Sequence, residues 1–475
     1  MAFDNFPLAL QPILQQDMLD RAFQSQLGAL MAYRKAAKKN PIPVAAGEVY
    51  IRSRAGRIAP SLATANPANN TGLDNGLSIG GVGSSNSVYP FEQFLVSLGM
   101  YPGVAIDLNV IQNYEAIASV FMQNNADLAQ QAALSLDLIC ALTLHQAYES
   151  GVTWATAPTS ASTTLHVDNI KGFDTAFQTY TMIDGNTYAG GTPQAVSATY
   201  TQNATVYPAS GATPYTVTVS GVAADGTNTS SAIGYTSNAP IGVSGTLTFT
   251  AAQTFAEGDV LVAADAPQMI LPGNIRSRYQ MTQSSTAQLQ MFVNAVAQLR
   301  RNNVRPQPDG TYHCFIDPLF MAQMYADPQF EILFQGQSDS AVYRDGIVSK
   351  MLEITFIKTT NTPTYQFTNS AGTDLYAKHA ILVGDGALLE CPFAGVDRAI
   401  REMADMELSK INIEENIAFV NRPMLDRLGQ IISQTWYYVG GFVAPTDVTI
   451  TPKVIPSATS ARYKRAVVLE VASLV

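Results

Sequence analysis

The chain of 475 residues carries little charge, because Asp, Glu, Lys and Arg together make up 13% of it, about half the usual share. Apolar residues make up 47%, which is enough for a sizeable core and excludes a disordered chain. At roughly 100–200 residues per domain, the length suggests about two to four domains. So few charges on so long a chain are typical of subunits that cover one another in a large assembly.

Cysteine is also scarce. The three cysteines, Cys140, Cys314 and Cys391, are widely spaced, which excludes a disulfide framework or a zinc-finger spacing and favours a reducing compartment. The N-terminus lacks the basic and apolar regions of a secretory signal. No apolar run approaches the ~20 residues of a membrane helix, so we expect no membrane partner.

No recognised catalytic motif is present: HExxH, Walker, GxSxG and GxGxxG-plus-acid patterns are all absent. His313 and Cys314 are neighbours on a predicted strand, so their side chains point to opposite faces. Asp317 ends that strand, and its expected role is to cap the helix that begins at Pro318. The four histidines are dispersed at His145, His166, His313 and His379. We therefore expect no enzyme activity, no catalytic or metal site and no cofactor.

Residues 1–46 form a predicted arm with a basic cluster, followed by a helix-breaking Pro41-Ile42-Pro43. The cluster is either a solvated helix end or a surface facing a neighbour or a polyanion. It consists of Arg34, Lys35, Lys38 and Lys39.

Residues 47–106 are predicted to form a long β-hairpin. Residues 47–54 alternate as a strand, with Val49 and Ile51 on one face and Arg52 and Arg54 on the other. A tip rich in Gly, Asn and Ser follows, and extended chain returns. Because an isolated hairpin is at best marginally stable in water, this one needs another surface to lie on.

Three further segments follow. Residues 110–150 contain no Pro or Gly and have apolar side chains at helical spacing, which predicts a spine helix ~60 Å long. Residues 155–272 have short alternating runs between turns, which predicts an inserted all-β barrel or sandwich. Residues 273–475 have an α/β pattern, with a predicted capping box at 285–288 before an amphipathic helix.

This order of segments resembles the major capsid protein of tailed phages, which has the HK97-like fold. Three segments are similar to the coat proteins of N4-like phages: GTYHCFIDPLFMAQMYADPQFE (310–331), GIVSKMLEITFIKTTNTP (346–363) and HAILVGDGALLE (379–390). The second departs from the family pattern, with Ser349 and Glu353 in place of glycine and Lys358 in place of an acid.

The resemblance implies an α+β, HK97-like fold in five parts. These are an N-arm (1–46), an E-loop hairpin (47–106), a spine helix with part of the P-domain (107–154), an inserted β domain (155–272) and an A-domain with returning P-domain strands (273–475). It implies a virion shell of hexamers and pentamers around double-stranded DNA. Assembly would occur in the host cytoplasm with separate scaffolding and portal proteins, and a decoration protein as a further partner.

The resemblance also implies roles for named residues. The expected E-loop contacts with a neighbouring subunit are Arg52, Arg54, Arg57, Phe91 and Phe94. The four basic residues of the arm would lie on the inner side, near DNA phosphates. Residues 1–60 carry eight basic and four acidic residues, a net +4, whereas 155–272 carry one and seven, a net −6. We therefore expect the β domain to face outward.

Two absences shape these expectations. Some shells of this fold are welded by an isopeptide bond from an E-loop lysine, but residues 47–106 contain no lysine. We therefore expect no covalent ladder on a denaturing gel. About 46 residues precede the hairpin, so we expect no fused N-terminal scaffold. Alternatives are an encapsulin-like nanocompartment shell that encloses protein cargo, a phage decoration or tail protein, and an enzyme with a β accessory domain.

Overall fold

Helices and strands are both abundant in the computed structural model, which confirms the α+β class predicted from the sequence. The structure describes residues 32–43, 49–55, 91–109, 120–176, 179–181, 187–189, 194–225, 230–231, 240–273, 275–335, 350–395, 410–414, 416–422, 431–447 and 461–474. The chain divides into two units. The first contains Met1–Tyr50, Val96–Cys140 and Leu389–Val443, and the second contains Ile51–Leu95, Ala141–Leu388 and Ala444–Val475.

The first unit is built on a seven-stranded sheet whose long central strand pairs on both sides. Its strands are β1 (Lys38–Lys39), β4 (Gly99–Pro102), β5 (Ile106–Asn109), β24 (Leu389–Pro392), β25 (Lys410–Glu414), β26 (Ile417–Arg422) and β27 (Ile431–Val443). A short helix, α1 (Tyr33–Ala36), precedes β1. β1 lies parallel to β24, and the other described pairings are antiparallel.

The long helix α2 (Val120–Tyr148) packs on this sheet. Leu128, Ala132 and Leu136, one helical turn apart, meet Phe419 and Trp436 in one buried cluster. Its 29 residues correspond to about 44 Å, which is shorter than the sequence-based length because 110–119 lie outside the described residues.

One stretch of α2, Gln123–Tyr148, is long and apolar enough to cross a membrane, and 56% of its most apolar window is buried in the protein. The expectation that no stretch approaches this length is wrong, because alanines keep the mean hydropathy high and Asp127 and Asp137 are its only charged residues. The buried stripe against the sheet accounts for the apolar composition.

Within the segment 47–106, where the sequence predicts a hairpin, β2 (Val49–Ala55) and β3 (Phe91–Ser97) form a two-stranded sheet. Its tip lies outside the described residues. Along β3, Phe94 and Val96 are buried, whereas Leu95 between them is exposed, the alternation expected of a strand with one covered face.

The inserted segment forms a six-stranded antiparallel sheet in the order β6-β17-β12-β13-β16-β7. An isolated bridge between Ala155 and Val167 joins the two edge strands, with the amide of Asp168 donating to Trp154 and that of Thr156 to His166. The sheet therefore closes into a barrel, which removes its free edges. Its strands are β6 (Val152–Trp154), β7 (Thr159–Val167), β12 (Gln202–Tyr207), β13 (Tyr215–Ala224), β16 (Gly245–Phe255) and β17 (Val260–Ala263).

Short strand pairs flank the barrel, and its first strand begins three residues before the expected boundary at 155. The pairs are β8 (Thr175–Ala176) with β11 (Gln194–Ala195), β9 (Thr179–Thr181) with β10 (Thr187–Ala189), and β14 (Ser230–Ser231) with β15 (Pro240–Gly242).

The second unit also contains a mixed seven-stranded sheet in the order β18-β28-β23-β19-β21-β20, with β22 paired to β23. Helices α3 (Leu289–Arg301), α4 (Pro318–Tyr325) and α5 (Pro328–Gln335) contribute to its buried core. The strands are β18 (Met269–Ile270), β19 (Tyr312–Ile316), β20 (Lys350–Met351), β21 (Ile354–Lys358), β22 (Thr364–Thr368), β23 (Asp374–Val383) and β28 (Ala466–Ser473).

Two helices of this unit are capped in different ways, one by a residue next to the helix and one by a residue distant in sequence. Asp317 caps α4 as expected, since its carboxylate accepts from the amides of Leu319 (2.7 Å) and Phe320 (3.3 Å). The capping box expected at 285–288 is wrong: Gln288 is the N-cap without a side-chain bond, and the amide of Leu289 donates to Asp327 at 2.6 Å. A carboxylate from the junction between α4 and α5 therefore caps α3.

Candidate functional site

A cluster of six polar side chains is buried in the second unit where α2 ends. One comes from the last turn of α2, one directly follows this helix, one comes from a 3₁₀ turn at Arg278–Gln280, and three come from adjacent strands. They are His145, Glu149, Arg278, Tyr365 on β22, His379 on β23 and Glu470 on β28.

The spacing of these elements places the groups in contact. His145 and Glu149 are one helical turn apart, with Nδ1 to Oε1 at 2.5 Å. His379 and Glu470 are directly opposite each other on antiparallel strands, with Nε2 to Oε1 at 2.7 Å. Arg278 donates from Nε to both oxygens of Glu470, at 2.9 and 3.0 Å, and from Nη2 to Glu149 at 2.8 Å.

Tyr365 completes the cluster. Its hydroxyl donates to Oε2 of Glu149, the guanidinium of Arg278 lies 4.1 Å from its ring centroid, and the ring meets that of His379 edge-on at 4.6 Å. Burial, together with the adjacent carboxylate of Glu149, raises the pKa of Tyr365 well above its usual value. The phenol therefore stays protonated and acts as a donor.

His379 is a buried cation. Its Nδ1 faces the carbonyl oxygen of Pro363 at 2.9 Å and its Nε2 faces Glu470, so both ring nitrogens meet acceptors and both must carry protons. Burial alone would lower the pKa of His379, but the carboxylates of Glu149 and Glu470 outweigh it and raise the pKa.

The remaining charges balance. Burial lowers the pKa of His145 despite its bond to Glu149, so this imidazole is neutral. Burial would raise the pKa values of Glu149 and Glu470, but the cations around them hold both below the usual value of 4.5. Two carboxylates thus face one guanidinium and one imidazolium, and the cluster is neutral.

Three of these residues, Glu149, His379 and Glu470, offer possible metal-ligand atoms within 4.8 Å of one another. The same carboxylates accept bonds from Arg278, and Nε2 of His379 faces Glu470 as a donor. A metal ion would have to displace a guanidinium and a proton. The geometry fits an ion-pair network better than a metal centre.

The cluster offers little access to a substrate, because the side chains of His145, Glu149, His379 and Glu470 are at most 2% exposed. Arg278 and Tyr365 line a groove at the surface, and the side chain of Arg278 is 10% exposed. The arrangement therefore suits a structural role, joining the end of α2 to three strands and a turn.

Sequence reasoning missed this cluster. It placed His145 and His379 only among four histidines dispersed along the chain. The signal present in the chain was polar side chains inside apolar runs, as with Glu470 within residues 466–473. The other two histidines lie apart: His313 contacts Asp309 at 2.9 Å and His166 is exposed on the barrel.

The hairpin residues expected to contact a neighbour are only partly described. The backbones of Arg52, Arg54 and Phe91 lie on β2 and β3, Arg52 is half-buried, and Arg57 lies outside the described residues. Phe94 is 8% exposed, so it lies on the covered face. The assignment of Phe94 to a contact with a neighbouring subunit is therefore corrected. Successive side chains of a strand point to opposite faces, and its neighbour Leu95 is the exposed residue.

The basic cluster of the arm also divides. Lys35, Lys38 and Lys39 are exposed, but Arg34 is buried in the first unit. It donates from Nε and Nη2 to Glu390 at 3.0 and 2.7 Å. The assignment of Arg34 to a DNA-facing surface is therefore corrected, because its charge is used inside the protein.

Buried partners surround this ion pair. The Tyr438 hydroxyl donates to Glu390 at 3.0 Å, and the amides of Ala32 and Arg34 donate to Asp137 of α2 at 2.8 and 3.1 Å. These bonds hold the described part of the arm within the first unit.

No family model and no curated protein matches the chain. Several solved structures, however, match the chain. The chain is similar to the capsid of Ralstonia phage GP4, with 10% sequence identity and a TM-score of 0.47. It is also similar to the capsid structure of cyanophage P-SCSP1u, with 10% identity and a TM-score of 0.43. Each similarity covers 92% of this chain and 87% of the capsid chain. The chain is also similar to the acidic stable capsid of Helicobacter pylori bacteriophage KHP30 over 93% of this chain and 92% of the other, with 8% identity and a TM-score of 0.42.

Over most of its length, the chain is similar in structure to these phage capsids.

Proposed function

We propose that this chain is the major capsid protein of a tailed phage and assembles into an icosahedral shell around double-stranded DNA. The proposal rests on the order of elements along the chain: arm, paired strands β2 and β3, long helix, inserted barrel and mixed sheet. It also rests on the motif resemblance of residues 310–331, 346–363 and 379–390. The mechanism is mechanical, with each subunit held by overlap with several others.

The observation that carries the proposal is the apolar surface of the β2–β3 hairpin. Val49, Ile51 and Leu95 are 53%, 55% and 41% exposed. A two-stranded sheet has no core of its own and is marginal in water, and exposed apolar surface favours burial against a partner. The E-loop would therefore lie on a neighbouring subunit through these side chains, with Arg52 and Arg54 on the same strand pair.

Hexamers and pentamers, a separate scaffold, a portal and a location in the virion belong to the same proposal. The exposed lysines of the arm would face packaged DNA without sequence preference. The low overall charge supports extensive contact between subunits.

The test is negative-stain microscopy and size-exclusion chromatography of the expressed chain, alone and with candidate scaffolds. We expect closed polyhedra or sheets of hexameric tiles. The double variant Ile51→Asp, Leu95→Asp should fold but lose these assemblies, whereas Thr250→Asp, at an exposed barrel position, should retain them. A chain that stays monomeric with every scaffold, or equal assembly by both variants, would contradict the proposal.

The contents of the particles distinguish a phage capsid from the alternative, a nanocompartment shell. We expect nuclease-protected DNA in particles from infected cells, whereas a shell that encloses an enzyme would contain protein cargo instead.

A further inference from the structure

A groove of about 330 Å³ opens beside the buried charge cluster, between the barrel, the 3₁₀ turn and strand β22. Its volume lies at the lower end of the range of small-molecule sites, roughly 300–1,000 Å³. All its lining residues belong to the second unit. Neither shell assembly nor the charge cluster requires this space.

One wall of the groove is aromatic. The rings of Trp154 and Tyr279 are stacked, with centroids 6.2 Å apart and planes at 27°, and both side chains are half-buried. Phe367, also half-buried, adds a third ring to the lining. Flat, partly exposed rings offer a platform for the C–H face of a ligand ring.

The platform depends on a close approach by the backbone. Gly258 has φ of +83°, and a Cβ there would lie 2.4 Å from Cε1 of Tyr279. The hydroxyl of Tyr279 donates to Glu257, the residue before Gly258, at 3.4 Å. The turn therefore fits the ring of Tyr279 closely, as in a site with a defined shape.

The polar part of the lining contains both donors and acceptors. Asp168 and Glu257 supply carboxylate oxygens, whereas Arg278 and Gln366 supply N–H groups. The carboxylates disfavour an anionic ligand, and the guanidinium disfavours a compact cation. A neutral ring with several hydroxyls matches this lining, because each hydroxyl both donates and accepts.

We propose that this groove binds a neutral sugar ring, packed against the Trp154–Tyr279 aromatic pair and hydrogen-bonded to Glu257 and Gln366. The ligand class is carbohydrate, and the site lies where the inserted barrel meets the mixed sheet. This goes beyond the proposed shell function, and a shell subunit that fails to bind sugar would still assemble.

The experiment titrates the full-length chain with neutral sugars (glucose, galactose, mannose, N-acetylglucosamine and maltose), followed by tryptophan fluorescence and saturation-transfer NMR. The chain has two tryptophans, and Trp436 is buried in the first unit at 2% exposure, so a change on binding would report on Trp154. We expect saturable binding of at least one sugar with Kd about 1 mM or tighter, equivalent to about −4 kcal/mol.

Matched variants make the test specific. Trp154→Ala and Gln366→Ala should each weaken binding about tenfold or more, whereas Thr250→Ala, exposed on β16 outside the lining, should leave it unchanged. Because Gln366 is exposed, its variant tests the site without disturbing the core. Absence of saturable binding, preference for glucosamine or sialic acid over neutral sugars, or equal binding by Gln366→Ala and Thr250→Ala would overturn the proposal.

Discussion

His379 illustrates at the scale of a residue how the second unit neutralises buried charge. A carbonyl oxygen and a carboxylate face its two ring nitrogens, and Arg278 binds the same carboxylate. Buried ion pairs are not by themselves a source of stability, because desolvation opposes the Coulomb attraction. Removing one member, however, leaves an uncompensated charge in the interior.

Replacing Arg278 with Met should therefore destabilise the chain strongly. Glu149 and Glu470 would lose their shared donor while remaining buried, at a cost of about 3–5 kcal/mol in the free energy of unfolding. Denaturant unfolding followed by circular dichroism measures this. The control is Arg300→Met, which removes an exposed pair with Glu353, 61% and 50% exposed, and should change stability by about 0.5 kcal/mol or less. Equal effects would show that the cluster does not couple the elements it joins.

The same carboxylates predict a loss of stability in acid. The pKa values of Glu149 and Glu470 are held below 4.5 in the folded chain. Below 4.5 the unfolded chain therefore binds protons that the folded chain does not, and the free energy of unfolding falls as pH falls. Above 4.5 this contribution is fully present.

Denaturant titrations between about pH 3 and 7 test the prediction. Glu470→Gln should lower stability at pH 7 and make its dependence on pH shallower below 4.5, since one depressed carboxyl is gone. The matched variant Glu353→Gln, at a half-exposed carboxyl, should keep the wild-type slope. Identical slopes for Glu470→Gln and wild type would contradict the assignment.

At the scale of an element, the barrel turn before β17 combines a special backbone conformation with close packing. Gly258 and Gly211 both have positive φ, +83° and +77°, so alanine is strained at either, at about 1–2 kcal/mol. Only Gly258 also has a ring against the position of the missing Cβ, whereas nothing lies within 4 Å at Gly211.

Gly258→Ala should therefore destabilise the chain more than Gly211→Ala, by about 1–3 kcal/mol beyond the shared backbone strain. Thermal or denaturant unfolding of the two variants measures the difference directly. The displaced Tyr279 should also change the near-ultraviolet circular dichroism of Gly258→Ala alone. Equal destabilisation would mean that the turn accommodates the methyl group by moving freely.

Local and tertiary signals also differ among the elements. Asp317 and Pro318 start α4 as the sequence predicted, because a carboxylate and a fixed φ act on the next few residues. From Pro318 onward the chain forms two helices, α4 and α5, divided before Pro328, because a proline disfavours helical geometry in the preceding residue. Strands β20 and β21 are separated by Leu352 and Glu353, which have φ of +51° and +65°.

At the scale of the whole molecule, substitution of the arm lysines should affect assembly without affecting folding of the subunit. Lys35, Lys38 and Lys39 are exposed, so replacing all three with Gln should leave the unfolding midpoint of the subunit unchanged. If they contact DNA phosphates, the packaged DNA per particle or the particle yield should fall, since phosphate contacts depend on positive charge.

Quantifying nuclease-protected DNA per particle checks this prediction. The control removes three exposed charges elsewhere, with Arg300, Arg301 and Lys350 all changed to Gln. Unchanged yield and DNA content in the arm variant, or an equal loss in the control, would refute an inner position for the arm.

The sequence by itself determined the α+β class, the all-β nature of the insertion and the start of α4. These depend on local periodicity, turn residues and capping, which act within a few residues. Tertiary structure alone decided that Arg34 is buried, that Asp327 caps α3, that the insertion closes into a barrel and that His145 meets His379. Each of these joins residues far apart in the chain, and the partner of a long-range contact depends on how sheets and helices pack.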